Sequence, residues 1–226
     1  MKMSRHLTTA LIVAGIGVML IPVVGKLYLS YQHQQALREF ESRMNELDLA
    51  LEIQSSSPDD PGNPASSTDA APSPSPAIGI SYEEEYYLID GHQITGVIDI
   101  PKIRLKSPIV EGVALENLQF AIGHFPGTAK LGQKGNVVLA GHRSYTFGSF
   151  FSRIDELVAG DTIYLEGISG RYQYQVYDHF LVLPSDVSVL EIPPDRKNEA
   201  ILTLITCHPV YNPTHRLIIR AVKVIS

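Results

Sequence analysis

The sequence predicts an all-β head, built as a closed or nearly closed barrel and set behind an N-terminal apolar helix. Three observations carry this reading. At least seven short, β-branched apolar runs bounded by Gly, Pro or Asp follow residue 80. Helical patterns in that region are confined to two brief stretches. A 19-residue uncharged run, Leu7–Gly25, stands by itself at the start. Many strands at close spacing with few helices are most economically satisfied by a barrel, which leaves no unpaired edge.

The elements follow in chain order. Residues 1–6 form a short basic tail, read as cytoplasmic. At 1.5 Å per residue the run 7–25 nearly crosses a bilayer core of about 30 Å. The residues after it, Lys26-Leu27-Tyr28-Leu29, offer no small-x-small cleavage site, so the run reads as an uncleaved transmembrane anchor rather than a signal peptide. With nearly all of the chain on one side, the simple topology puts the bulk outside the cytoplasm. Residues 26–53 read as a helical stalk, because Phe40, Met44, Leu47 and Leu51 recur at 4-3-4 spacing between charges. Two heptads are too few to argue for a coiled-coil dimer. Residues 54–79 hold six prolines and seven serines without an aromatic or basic side chain. Such a segment buries too little apolar surface to fold, and reads as a disordered linker that tethers the head at some distance from the membrane.

The head, residues 80–226, is long enough for one core. Strands are expected near 94–100, 107–110, 136–140, 162–165, 171–183, 200–207 and 217–225, with helical turns near 115–121 and 150–157. Arg171–Tyr177 alternates polar and apolar residues as a half-buried strand should.

Composition narrows function. The 226 residues carry 18 basic and 24 acidic side chains, a net charge of −6, with no basic run of the kind that marks a nucleic-acid-binding module. One cysteine excludes an intrachain disulfide, a four-cysteine zinc site and a dithiol redox motif. No acidic cluster has calcium-loop spacing. Neither a metal nor another cofactor is expected.

Cys207 ends the apolar strand Ile201–Thr206, and Pro209, which cannot donate to a ladder, marks its limit. A lone cysteine in an apolar run is commonly a buried small hydrophobe. Outside the cytoplasm, however, an unpaired thiol is a candidate reagent. His208 is adjacent to it and should point to the opposite face. His215 and Arg216 open the next strand, and one of the two should face the thiol. His142 closes a different strand, Val137–Ala140. Spacing alone leaves the choice between His142 and His215 open.

The set Gly141-His142-Arg143, Thr203-Leu204-Ile205-Thr206-Cys207 and Thr214-His215-Arg216-Leu217, together with His124-Phe125-Pro126-Gly127-Thr128 and Gly135-Asn136, resembles the sortase family of cell-wall cysteine transpeptidases. The resemblance covers about residues 94–225. It implies a barrel of about eight strands, with Cys207 as nucleophile, His142 as general acid/base and Arg216 as the guanidinium that stabilises oxyanion or substrate. Thr206 is a further candidate for substrate contact; its alternative is a strand residue facing its neighbour. The implied partners are secreted proteins bearing a C-terminal Leu-Pro-x-Thr-like sorting signal and an amine acceptor, a cell-wall precursor or a pilin lysine.

With ordinary pKa values near 8.5 and 6.5, about 3% of Cys207 is thiolate and about a quarter of His142 is imidazolium at pH 7. Both conditions then hold in about 1% of molecules if the groups are independent. Asp60-Pro61 is followed by Gly62 rather than an aromatic residue, so the lid of pilin-polymerising relatives is not expected. The anchor, linker and short tail resemble class D, with class A the near alternative. Two readings compete with the sortase one: another extracellular Cys–His peptidase or transpeptidase, and a non-catalytic surface protein with an inert Cys207.

Overall fold

The computed structural model describes residues 5–55, 86–143 and 150–224. The 54–79 linker falls almost wholly outside them, as do the first residues of the tail and of the head. Strands β1 (Tyr87–Ile89), β2 (His92–Ile100), β3 (Leu105–Glu111), β4 (Ile122–His124), β5 (Gly135–Ala140), β6 (Thr162–Gly167), β7 (Gly170–Val182), β8 (Ala200–His208) and β9 (His215–Lys223) form one sheet. Its order is β1-β2-β3-β4-β5-β8-β9-β7-β6, and β2 pairs again with β6 to close it. Eight strands therefore make the barrel. The short β1 lies beside the first residues of β2, while β6 takes Gly96–Asp99 of that strand. Closure is tight there: a Cβ on Gly96 would approach the Glu166 carbonyl oxygen within 2.4 Å, so only glycine lets the two backbones meet.

All seven expected strands are present. The two further strands are three residues each, too short for a period-2 pattern to register. β1 did carry a signal: Asp90-Gly91 after the apolar Leu88-Ile89 is a hairpin turn pair, and both residues adopt positive φ (50° and 81°). The helical turn near 115–121 is α2 (Leu115–Phe120), and the one near 150–157 contracts to a 3-10 turn at Ile154–Glu156.

Alternation sorts each strand into two faces. Val137 and Leu139 of β5, Leu202 and Leu204 of β8, and Leu217, Ile219 and Ala221 of β9 fill the barrel interior with Ile98, Ile109 and Leu165. The residues between them, Asn136, Val138 and Ala140, then Thr203, Ile205 and Cys207, then Arg216, Ile218 and Arg220, belong to the outer face.

A second apolar cluster lies outside the barrel. The long helix α1 (Arg5–Ser55) is unbroken from the apolar run into the expected stalk. There Ala36, Leu37, Phe40 and Met44 are buried against Ile94, Val97 and Val110 of β2 and β3. The apolar stripe thus finds its partner on the barrel wall. The same helix is long and apolar enough to cross a membrane, its mean hydropathy reaching 2.2.

Candidate functional site

The site is set by the ends of three neighbouring strands. β5 runs parallel to β8, with Ala140 opposite Ile205. β9 runs antiparallel to β8, with Cys207 opposite Arg216 and His208 opposite His215. The thiol and the Arg216 guanidinium therefore project from the same outer face as a cross-strand pair. Carried two residues beyond Ala140 and Ile205, the β5–β8 register brings His142 level with Cys207. Cys207 and Arg216 thus share one face, His142 follows just past the end of the adjoining strand, and His215 is set opposite His208 instead.

The next residue along each chain turns inward. Arg143 is buried; its Nη1 donates to His208 Nδ1 at 2.8 Å and its Nη2 pairs with Asp155 at 2.8 Å. His208 Nδ1 is occupied as an acceptor by this bond, on the opposite face from the thiol. Neighbouring residues on β5 and β8 thus serve different ends: His142 and Cys207 line the outside, Arg143 and His208 lock the barrel mouth.

Backbone contacts hold His142 in place. The Gly141 amide donates to Ile205 O at 3.2 Å, and the Phe151 amide donates to His142 O at 3.0 Å. Phe151 is fully buried, and a Cβ on Gly141 would come within 2.7 Å of its ring. Glycine is needed at 141 for this close approach. Thr206 is buried, and its hydroxyl donates to Gly141 O at 2.7 Å. That bond directs its hydroxyl to the backbone just before His142.

Burial holds the His142 imidazole below its ordinary pKa, because removing water disfavours the charged ring. Cys207 is a free, half-buried thiol. Arg216 is also half-buried and donates to the His215 carbonyl at 3.3 Å. No Asp or Glu ion pair ties it down among the described residues.

Two contributors escaped the sequence reading. Arg143 was visible only as part of the Gly-His-Arg triplet. Asn136 proves to be a hub: Nδ2 donates to the carbonyls of Val189, Leu190 and Glu191 at 3.0, 3.2 and 3.0 Å, and Oδ1 accepts from the Thr203 hydroxyl at 2.7 Å. It pins the β7–β8 connection to the outer face where β5 and β8 begin, opposite Ile201. Its signals were its place in the Gly135-Asn136 pair and a polar residue opening the otherwise apolar strand Gly135–Ala140.

A cavity of about 370 Å³ lies at the other end of the barrel, where β5 begins and β9 ends. It borders Glu111, His124, Gln133 and Tyr172 and includes none of Cys207, His142 and Arg216. Among the described residues no group of three or more His, Cys, Asp or Glu converges as a metal site.

Comparison with known proteins agrees with this geometry. The sortase-domain family model matches residues 98–224, and those bounds contain all three residues. The chain is 34% identical to Sortase D of Bacillus subtilis (strain 168) over 135 residues, covering 58% of this chain and 65% of that protein. It thus spans just under two thirds of that relative's length. Among solved structures, Sortase C1 of GBS Pilus Island 1 superposes with a TM-score of 0.55 at 32% identity, covering 59% of this chain and 65% of that one. The Clostridium perfringens Sortase D5 transpeptidase superposes at 0.53 with 35% identity, over 63% and 84%. A family model matched over more than half of the chain, on a closed eight-strand barrel, establishes that this chain belongs to the sortase family and is class D-like.

Proposed function

We propose that this chain is a membrane-anchored cysteine transpeptidase that cleaves a Leu-Pro-x-Thr-like sorting signal after threonine and transfers the acyl group to an amine. The observation that supports the reading is the cross-strand pair of Cys207 and Arg216, with His142 just past the end of the adjoining strand, in a chain of this family.

The chemistry follows from residue types. The Cys207 thiolate attacks the threonine carbonyl carbon, and the peptide C–N bond breaks with formation of a thioester. His142 gives a proton to the departing amine. It then takes one from the amine nitrogen that attacks the thioester, and the thiolate is released. Arg216, a fixed charge with several donors, stabilises the oxyanion of both tetrahedral intermediates. Thr206 is assigned a supporting part: its hydroxyl holds the Gly141 carbonyl rather than contacting substrate. Burial of His142 favours the neutral ring, so few molecules hold a thiolate beside an imidazolium at neutral pH.

The anchor is α1. Its uncharged run is long and apolar enough to cross a bilayer, which would place the barrel outside the cytoplasm, within reach of secreted substrates. The acceptor is the amine of a cell-wall precursor or of a pilin lysine. Mass spectrometry of the full chain in detergent, with a panel of Leu-Pro-x-Thr-x peptides and added amines, tests the reading. A thioacyl adduct on Cys207 and an amine-joined product are expected, both lost in Cys207→Ala. No adduct with any peptide, or turnover that survives the substitution, overturns it.

A further inference from the structure

Helix α1 touches the barrel at a second place, next to the segment that carries His142. One turn before the buried Leu37 and Phe40, the His33 ring stacks on Phe150 with centroids 5.1 Å apart and planes at 17°. Its Nδ1 lies 3.2 Å from the Phe120 carbonyl oxygen and its Nε2 lies 3.4 Å from that of Lys106. Eight residues along, Lys106 Nζ pairs with Glu41 at 2.5 Å, so Lys106 is touched by the helix at two places.

Phe150 is bonded directly to Phe151, and Phe151 grips the catalytic backbone twice. Its amide donates to His142 O at 3.0 Å, and its ring lies where a Gly141 Cβ would otherwise sit. From helix to imidazole the path runs through His33, Phe150, Phe151 and His142. Each step is a ring stack, a peptide bond or a hydrogen bond. A flat ring on a flat ring restrains both tilt and slide, and the two facing carbonyls fix where the His33 ring can lie.

We propose that His33 is a positioning residue: by clamping Phe150, the docked helix holds Phe151 and the Gly141–His142 backbone so that the imidazole stays level with Cys207. The kinetic consequence rests on the transpeptidase reading above, whereas the geometric one does not. The helix that carries the apolar run thereby also tunes the site. The connection is local, since His33 touches neither Cys207 nor Arg216.

The experiment uses the full chain in detergent micelles, with ring-¹³C histidine and the His142 resonance assigned by its loss in His142→Ala. Three variants are compared: His33→Ala, His33→Gln, which keeps a donor without a ring, and His33→Phe, which keeps the stack without a donor. His33→Ala and His33→Gln are expected to shift or broaden the His142 resonance and to lower kcat about tenfold with KM within twofold, since small misplacements of reacting groups are costly. His33→Phe is expected to restore most of both. An unmoved His142 resonance in His33→Ala overturns the proposal, and so does an equal loss in all three variants that follows melting temperature. Should wild-type protein turn over no sorting peptide while the resonance still moves in His33→Ala and recovers in His33→Phe, the positioning role stands and the transpeptidase reading falls.

Discussion

Arg143 Nη1 donates to His208 Nδ1 at 2.8 Å inside the barrel mouth, one residue beyond His142 and Cys207 on their respective chains. The alternation of the strands thus separates Cys207, on the outer face, from the Arg143–His208 lock inside. The lock also includes Asp155, 2.8 Å from Arg143 Nη2 and half exposed. Replacing the guanidinium by a similar apolar volume leaves a half-buried imidazole nitrogen without its donor. Arg143→Met is therefore expected to cost about 1–3 kcal/mol of stability, read as a lower denaturation midpoint at unchanged slope.

Arg216 presents the opposite case. It faces Cys207 across the ladder and donates only to the neighbouring His215 carbonyl at 3.3 Å, a bond that adds little to stability. In the proposed reaction its charge sits where an oxyanion develops. Arg216→Ala is expected to lower kcat by about 10²–10³ while the melting temperature moves by no more than a degree or two. Arg216→Lys keeps the charge without the planar fork and should recover only part of the rate. Steady-state kinetics beside thermal melts checks both.

His142 titrates below its ordinary value because burial disfavours its charged form. The unfolded ring takes up its proton first as pH falls. Stability from this residue is therefore fully present above about pH 6.5 and declines as pH drops through that value toward the lower folded one. NMR titration should give a His142 midpoint under 6.5. Denaturant melts should show the wild type losing stability relative to His142→Gln as pH falls from 7 to 5.

His124 has the reverse sign. Burial pushes its pKa down, but the Glu111 carboxylate 2.7 Å from Nδ1 and the Ala129 carbonyl 3.0 Å from Nε2 outweigh burial and leave it raised. The raised value means that the pair's stabilisation is complete below about pH 6.5 and is lost as pH rises through the folded value. Glu111→Gln should therefore cost more stability at pH 6 than at pH 9. A penalty that is equal at both pH values would show that the pair does not titrate as argued.

What the sequence made legible was whatever repeats with a period or ends at a chain feature. The seven long strands show alternation or apolar runs, and Cys207 is marked by its strand and by Pro209. The choice between His142 and His215 was not legible from spacing, because it depends on which strand lies beside β8 and in what register. That information is tertiary: Ala140 opposite Ile205 and Cys207 opposite Arg216. The docking of α1 was hidden for the same reason. An amphipathic stripe such as Phe40–Met44 states that it wants a partner, not which one.

Asn136 shows how much a single inconspicuous side chain can hold. Three carbonyls of the β7–β8 connection, those of Val189, Leu190 and Glu191, converge on its Nδ2, and Thr203 supplies the donor for its Oδ1. The amide is buried, so water does not readily replace it. In Asn136→Leu the volume is nearly kept, but the Thr203 hydroxyl and the three carbonyls lose their shared partner. Each unsatisfied buried group costs about 1–3 kcal/mol, although the connection can lift away and regain water at the carbonyls. The outcome expected is a stability loss of about 2 kcal/mol, together with faster amide hydrogen exchange confined to residues 187–191. A variant with native exchange rates across 187–191 would show that contacts other than Asn136 hold the segment down.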